Sequence, residues 1–251
     1  MVKKWDVTIP GLSGTKTRKV YIYLPDYYDE DELRRYPVLY MFDGHNVFFD
    51  ADAAFGKSWN MTSYLLWTRK PLIVVAVECN KKGNNRLKEY SPYSWEDPKF
   101  GKIRGRGRAY MDWLVTELKP FIDENYRTLP DREHTIIAGS SMGGLMSLYA
   151  ATVYNHVFSK AACLSPSLWT NPEKLVKMVS KAEVGEDTCI YMDYGSQEMA
   201  NHGANKAALM EMSQLLLEKN VNLAFRIIPN GNHSEASWEK QIPIFMDCLG
   251  L

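Results

Sequence analysis

The sequence predicts an α/β fold in which a mostly parallel sheet of eight strands carries helices on both faces and has an antiparallel N-terminal edge. Short apolar runs alternate with longer segments of helical periodicity from residue 37 onward, which is typical of parallel sheets covered by helices. The central runs at 37–42 and 72–77 are apolar throughout, as strands buried on both faces are. The first two runs follow one another without a helix, which predicts the antiparallel edge. The eight strand-like runs are residues 5–9, 19–24, 37–42, 72–77, 135–138, 159–164, 188–193 and 223–228.

Apolar residues spaced three and four apart predict the main helices. One such stripe starts at Tyr110 and ends near Asn125, and Pro120 inside it should kink or divide the helix. Asn171 and Pro172 have the character of an N-cap and a first helical residue, which predicts a helix through Val179. Further periodic segments lie at 145–151, 209–216 and 238–248.

Composition indicates one globular domain over residues 1–251. The chain is 45% hydrophobic and 24% charged, which is near the average for soluble domains. Thirty basic residues balance thirty acidic ones, so no overall field favours nucleic acid or an anionic membrane. No apolar run approaches the roughly 20 residues needed to span a bilayer, and no apolar stretch follows the N-terminal lysines. These features predict a cytoplasmic protein, and they do not indicate an oligomeric state.

Four cysteines are widely spaced and form no C-x-x-C pair, which argues against a zinc ribbon or a redox dithiol. Three of them lie in apolar runs, where free cysteine behaves as a small hydrophobic residue. The isolated Asp50 and Asp52 give no basis for a metal site. We therefore expect reduced cysteines and no bound metal.

The stretch from residue 78 to residue 107 shows little periodicity, and we expect an elaborated loop over the ligand-binding face. Long loops within compact domains are usually functional. One hypothesis is that it contacts a sugar or phenolic ester through Asn84, Asn85, Arg86, Tyr90 and Tyr93. The same stretch ends in a basic run, which is either a solvated loop or an anion-recognising lid. The run comprises Lys99, Lys102, Arg104, Arg106 and Arg108.

The strongest chemical signal is Gly139-x-Ser141-x-Gly143. This spacing is found where a serine sits on a turn so tight that flanking side chains would collide. An apolar strand leads directly into the motif, and a segment of helical character leads directly out. Strand, turn and helix are the context that the motif requires, and the hydroxyl then projects beyond the end of the strand. Ser141 is accordingly the predicted nucleophile.

A serine needs a base to accept its proton, and that base is most often histidine. The candidates are His45, His134, His156, His202 and His233. His233 lies in a loop directly after an apolar strand, where doubly wound sheets place their ligands. It also follows the serine, as the base does in serine hydrolases built on such sheets. His233 is therefore the predicted base.

An acid should orient the histidine and stabilise its charged form. Two carboxylates compete after or within the strand at 188–193. Asp193 lies inside that strand, whereas Glu198 follows it in a loop. Position beyond the strand end favours Glu198, with Asp193 as the alternative acid.

An oxyanion formed on the substrate needs backbone N–H donors. One should come from Met142, the residue after the serine, and the other from the loop that follows the strand at 37–42. His45 is the candidate in that loop, and Gly44 would let the backbone approach closely. Gly44 and Asn46 are predicted to contact substrate.

These motifs resemble the esterase D branch of the α/β-hydrolases, the "putative esterase" family, which includes feruloyl, acetyl-xylan and siderophore esterases. The most specific likeness is the 139–144 turn with the flanking segments 117–127 and 164–169. The resemblance implies an α/β-hydrolase fold and the roles already given to Ser141, Glu198, His233, Met142 and His45. It also implies that residues 165–169 line the pocket, so that Ser165 and Trp169, like Arg86, are expected to contact substrate. The family uses no metal or organic cofactor.

The sequence thus predicts a serine esterase acting through an acyl-enzyme on small acyl or phenolic esters, including carbohydrate-linked ones. An acyltransferase would use the same three side chains, and a siderophore-lactone esterase is a rival supported by the basic run. A non-catalytic binding module on this fold is the remaining alternative.

Overall fold

The computed structural model describes residues 1–12, 17–198 and 203–251. In the described part of the chain eight strands form one sheet in the order β1-β2-β4-β3-β7-β8-β9-β10, and β5 and β6 form a separate hairpin. The strands are β1 (Val2–Thr8), β2 (Thr17–Tyr23), β3 (Val38–Phe42), β4 (Ile73–Val77), β5 (Trp95–Asp97), β6 (Gly101–Ile103), β7 (Thr135–Ser140), β8 (Lys160–Leu164), β9 (Cys189–Gly195) and β10 (Asn222–Ile228).

The sheet is antiparallel at its N-terminal edge and parallel elsewhere. β2 pairs antiparallel with both β1 and β4, and the six strands from β4 to β10 run parallel. The predicted mostly parallel sheet of eight strands with an antiparallel edge is therefore confirmed. Each of the eight predicted runs corresponds to one of its strands.

Both faces of the central strands are buried. In β3, Val38, Tyr40 and Phe42 pack into the apolar layer on one face, whereas Leu39 and Met41 pack into the layer on the other. Alternate side chains point to opposite faces of a strand, so a strand with apolar layers on both sides must be apolar at every position. This is the physical origin of the continuous runs in the sequence.

Helices cover both faces of the sheet, as predicted. They are α1 (Met61–Thr68), α2 (Asn85–Glu89), α3 (Gly107–Trp113), α4 (Lys119–Asn125), α5 (Met142–Val153), α6 (Pro172–Lys181), α7 (Gly203–Glu218), α8 (Glu235–Glu239) and α9 (Ile242–Cys248). Buried side chains of α3, α5, α6 and α7 pack on one face, and those of α1, α8 and α9 pack on the other. Among the described residues, no helix combines the length and apolar character needed to cross a bilayer.

Proline and capping residues set the helix boundaries. The predicted helix ending at Asn125 is divided, because a π-helical segment over Leu114–Leu118 separates α3 from α4. That segment ends two residues before Pro120, which has no N–H to donate. The N-cap prediction is also confirmed, since Asn171 Oδ1 accepts from the Lys174 N–H at 3.1 Å. The single helix predicted at 238–248 is wrong: α8 and α9 are separate, and Pro243 lies in the first turn of α9.

The 78–107 stretch has more regular structure than its sequence pattern indicates. It contains α2 and the β5–β6 hairpin. A buried ion pair between Arg18 and Glu89 attaches the end of α2 to β2. The stretch is therefore mostly packed against the domain.

Candidate active site

The turn between β7 and α5 holds Ser141 in a strained conformation. Its φ is 58° and its ψ is −120°, a region that residues with a side chain rarely adopt. A Cβ on Gly139 would lie 2.7 Å from the Gly143 carbonyl carbon, and one on Gly143 would lie 3.0 Å from Phe42 Cβ. The two glycines are therefore required by the crowding that the motif implies. The Ser141 hydroxyl oxygen lies 3.3 Å from the Ser167 hydroxyl oxygen.

His233 and Glu198 meet at the carboxyl ends of β9 and β10. His233 Nδ1 lies 2.6 Å from Glu198 Oε2. The carboxylate is buried, with 2% of its side chain exposed, whereas 37% of the His233 side chain is exposed. The other carboxylate oxygen, Oε1, accepts from the Gly195 N–H at 3.1 Å and the Ser165 hydroxyl at 2.8 Å. Glu198 is thus fixed by three polar neighbours, one of which is the imidazole.

Two glycines allow the acid loop and the histidine loop to touch. A Cβ on Gly195 would lie 2.4 Å from the carbonyl oxygen of Gly231. That same carbonyl accepts from the Gln197 N–H at 3.0 Å. Close backbone contact between the loops therefore brings the Glu198 and His233 side chains together.

Asp193, the alternative acid, uses its carboxylate elsewhere. Oδ1 accepts from the Ser165 N–H at 3.1 Å, and Oδ2 accepts from the Tyr191 hydroxyl at 2.8 Å. Burial raises the pKa of Asp193 to about 7. The carboxylate that contacts His233 is that of Glu198.

Ser165 and Trp238 contact the acid and the histidine and hold them in position. Trp238 Nε1 donates to Ser165 Oγ at 3.0 Å, and Ser165 in turn donates to Glu198. The Trp238 ring packs edge-on against the His233 ring, with centroids 5.0 Å apart. The four side chains thus form a closed ring of contacts, from Trp238 to Ser165, Glu198 and His233 and back to Trp238. Residue patterns gave no signal for Trp238, because only folding brings α8 beneath the imidazole.

Two residues predicted to contact substrate, Ser165 and Trp169, are not part of the lining of the cavity beside Ser141. Ser165 is 2% exposed and holds Glu198. The Trp169 ring packs edge-to-face on Trp95, with ring centroids 5.4 Å apart. The backbone N–H of Trp169 donates to Asn205 Oδ1 at 2.9 Å. Neither residue is among those that line this cavity, and their contact with substrate stays a prediction.

The turn after β3 lies beside the Ser141 turn. Asp43 has a φ of 55°, and residues Gly44–Asn46 form a short 3-10 helix. A Cβ on Gly44 would lie 2.7 Å from the Ala76 carbonyl oxygen, so this glycine permits close packing on β4. His45 is buried, which lowers the pKa of its imidazole. Met142 begins α5, and the first amides of a helix have no partner within it.

Arg86 lines the cavity, but two of its N–H groups bind a side chain. Arg86 Nε and Nη2 donate to the two carboxylate oxygens of Asp43 at 2.8 and 2.7 Å. Burial alone would raise the pKa of Asp43, but the charge and hydrogen bonds of Arg86 hold it below its usual value. The predicted substrate contact is thus also part of a clamp on the turn after β3.

A cavity of about 650 Å³ opens beside Ser141 and His233. Its lining includes the predicted residues Asn46 and His45 as well as residues that the sequence did not single out. Among the latter is Glu235, whose carboxylate accepts from Asn46 Nδ2 at 3.0 Å and whose pKa is raised by burial. The lining residues are Asp43, His45, Asn46, Ala54, Phe55, Cys79, Lys81, Gly83, Arg86, Ser140, Ser141, His233, Ser234, Glu235 and Trp238.

Other sequence candidates lie outside this lining. Tyr90 and Tyr93 are buried, with their hydroxyls bonded to the Asp43 N–H and to Thr170, so the hypothesis that they contact a ring of the substrate is wrong. The basic run lies on the β5–β6 hairpin and at the start of α3, away from the cavity lining. His134 pairs with Asp131 before β7, and His202 lies outside the described residues.

One set of side chains in the described structure has the composition of a metal site. Ligand atoms of Asp43, His45 and Cys79 lie within 4.8 Å of one another. However, both Asp43 oxygens already accept from Arg86, which places a permanent cation beside the carboxylate. This donor set therefore fits an ion pair better than a divalent metal.

Comparisons with known proteins agree with this architecture. A family model described as "Putative esterase" matches residues 13–245. The chain is 27% identical to the Bacillus subtilis protein YbbA over 185 residues, which is 72% of this chain and 69% of YbbA. A ferulic acid esterase structure has a TM-score of 0.69 at 19% identity and covers 99% of this chain and 98% of its own.

A second solved structure, the enterobactin and salmochelin hydrolase IroE, has a TM-score of 0.66 at 21% identity, with coverage of 100% and 96%. At these identities the structures show the fold, whereas the family model covers nearly the whole chain. The sheet and its covering helices accordingly have the α/β-hydrolase fold, and the chain belongs to the family described as "Putative esterase".

Proposed function

We propose that this protein is a serine carboxylic-ester hydrolase in which Ser141 is the nucleophile, His233 the base and Glu198 the acid. The observation that carries the proposal is the 2.6 Å contact between His233 Nδ1 and Glu198 Oε2 at a cavity that Ser141 also lines. The Nδ1 contact leaves Nε2 as the imidazole atom to accept the serine proton. The family and its relatives support ester hydrolysis as the reaction class.

The reaction follows from these roles. Ser141 Oγ attacks the ester carbonyl carbon while its proton passes to His233, and the N–H groups of Met142 and His45 stabilise the resulting oxyanion. Collapse breaks the ester C–O bond, and His233 returns the proton to the leaving alcohol. Water then attacks the acyl-enzyme with His233 again as base, which releases the acid and restores the Ser141 hydroxyl.

The substrates that we propose are small or aromatic carboxylic esters. A cavity of about 650 Å³ is within the size range of small-molecule sites. One solved relative is named a ferulic acid esterase, and the other is named a hydrolase of enterobactin and salmochelin. The siderophore-lactone alternative had the basic run as its sequence support, and that run lies away from the cavity.

Replacing Ser141 tests its role as nucleophile. Replacing Glu198 and Asp193 separately tests which of them is the acid that supports His233. Ser141→Ala should abolish hydrolysis of p-nitrophenyl acetate because it removes the hydroxyl at the strained position of the turn, while circular dichroism remains unchanged. Glu198→Gln should lower kcat by at least about 100-fold, since it removes the charge that stabilises the imidazolium. Asp193→Asn is the matched control and should lower kcat far less. Full activity of Ser141→Ala would refute the proposal.

A further inference from the structure

Phe55 is an exposed aromatic side chain at the cavity. It is 83% exposed, yet it lines the same cavity as Ser141 and His233. The other aromatic lining residue, Trp238, is buried and bonded to Ser165. The Phe55 ring is therefore the large apolar surface of the lining that remains open to a ligand.

The loop that presents Phe55 is braced at its base. Asp50 Oδ1 accepts from both the N–H and the hydroxyl of Ser58, each at 2.7 Å. Two donors on one carboxylate oxygen close the loop between residues 50 and 58 and lower the pKa of Asp50. The bonded pair keeps both ends of the loop together.

The tip of the loop is tied to the candidate active site. The Ala54 N–H donates to Asn46 Oδ1 at 3.0 Å, and Asn46 Nδ2 donates to Glu235 at 3.0 Å. Asn46 thus links the residue next to Phe55 with the residue two positions after His233. The backbone beside Phe55 is thus tied to the candidate active site, whereas the ring itself is not packed into the core.

An exposed ring on a braced loop is suited to binding. Covering apolar surface is favourable by roughly 25 cal/mol per Å², and an offset or edge-on ring pair adds about 0.5–1.5 kcal/mol. A backbone that is already held in place loses little entropy when a ligand covers the side chain it carries. A flat aromatic group gains more from such a surface than an alkyl chain does.

Building on the proposed function, we propose that Phe55 forms an aromatic subsite at the cavity, which binds an aryl ring attached to the reacting ester. The subsite accepts the ring on either the acyl or the alcohol side. Phe55 is then a specificity-determining residue that increases affinity for aryl esters, and the hydrogen bonds of Asp50 and Asn46 keep its loop in place.

Three esters test the subsite by the position of the ring. Methyl ferulate carries it on the acyl side, 2-naphthyl acetate carries it on the alcohol side, and ethyl butyrate has none. In Phe55→Ala the ratio of kcat/KM for at least one aryl ester over ethyl butyrate should fall about 5-fold to 10-fold. The lower kcat/KM for the aryl ester should result from a higher KM. The ester that shows it identifies the side that the subsite binds.

Phe49→Ala is the matched control, because Phe49 lies in the same part of the chain but contacts Lys4, 4.8 Å from its ring centroid, outside the cavity lining. Its aryl-to-alkyl ratio should match that of the wild type. An unchanged ratio in Phe55→Ala, or equal changes in the two variants, would overturn the subsite while leaving the proposed function intact if Ser141→Ala is inactive. An active Ser141→Ala would instead reject the function itself, and the subsite with it.

Discussion

Ser165 is a single residue whose two polar groups connect the buried carboxylates of Glu198 and Asp193. Its hydroxyl donates to Glu198, and its N–H donates to Asp193. Its φ of 41° is strained for a residue with a side chain. The surrounding hydrogen bonds stabilise a backbone conformation that serine would otherwise avoid.

Replacing Ser165 should affect turnover more than binding. In Ser165→Ala, Glu198 loses one of its donors and Trp238 loses its acceptor, so the imidazole is held less firmly. A hydrogen bond worth about 1 kcal/mol corresponds to a roughly fivefold to tenfold lower kcat, with KM nearly unchanged in assays on p-nitrophenyl acetate. Ser213→Ala, which removes a buried hydroxyl bonded to Leu209 on α7, is the control and should retain full kcat. Equal effects of the two replacements would mean that Ser165 acts only through general stability.

Sequence reasoning at single positions worked where chemistry and strand order restricted the choice. A histidine in the loop after the last strand and a carboxylate in the loop before it were predicted as partners, and the structure places them 2.6 Å apart. Ser165 and Trp169 were predicted to contact substrate, but they do not line the cavity beside Ser141, because nearness to a motif in sequence does not fix which cavity a side chain faces.

At the scale of elements, α2 connects the 78–107 stretch to the turn after β3. Arg86, in the first turn of α2, holds Asp43 through two hydrogen bonds. Tyr90, directly after α2, accepts from the Asp43 N–H at 3.1 Å. Asp43 is thereby fixed with a positive φ just before the proposed oxyanion donor His45.

Arg86→Gln should lower both stability and kcat, because it leaves the mostly buried Asp43 carboxylate without its cation. We expect at least about a tenfold loss of kcat for p-nitrophenyl acetate and a clearly lower Tm. Arg86→Lys, which keeps the charge but loses the planar two-pronged contact, should fall between wild type and Arg86→Gln.

Adding Asp43→Asn to Arg86→Gln should recover part of the lost Tm, because the double variant no longer buries an unpaired charge. If the decrease in Tm of the double variant equals the sum of the decreases in Arg86→Gln and Asp43→Asn, the result would argue against the clamp. Replacements of two residues that are paired are expected to have non-additive effects.

Periodicity identified the long elements and missed the short ones. The eight strands of the sheet and the helices around Tyr110 and Asn171 follow patterns longer than one turn or one alternation. The five-residue α2 and the three-residue strands β5 and β6 are too short to show a period. Their positions depend on distant contacts such as the ion pair between Arg18 and Glu89.

At the scale of the whole molecule, Asp193 links folding to pH. Burial raises its pKa from 3.8 to about 7, so the folded protein retains a proton that the unfolded chain releases between these values. Its contribution to the free energy of unfolding is therefore highest below about pH 4 and decreases as the pH rises to about 7. Above about pH 7 this loss of unfolding free energy relative to pH 4, the penalty for burying the ionised carboxylate, is constant and on the order of 4 kcal/mol.

Asp193→Asn should remove this penalty. The amide oxygen can still accept from the Ser165 N–H, and the Tyr191 hydroxyl can rotate to accept from the amide. We expect the variant to be more stable than the wild type at pH 8 and the difference to shrink toward pH 4, measured by urea unfolding at a series of pH values. A stability difference that does not vary with pH would contradict a buried, titrating Asp193.

The sequence alone determined the order and type of the main elements, the tight turn at Ser141 and the loops that hold Glu198 and His233, because periodicity and glycine requirements are local properties. Only the tertiary structure decided that Arg86 binds Asp43, that Ser165 and Trp238 support the acid and the imidazole, and that Phe55 stands open at the cavity. These facts depend on distances between residues far apart in the chain, and packing sets such distances without leaving a pattern in the residues themselves.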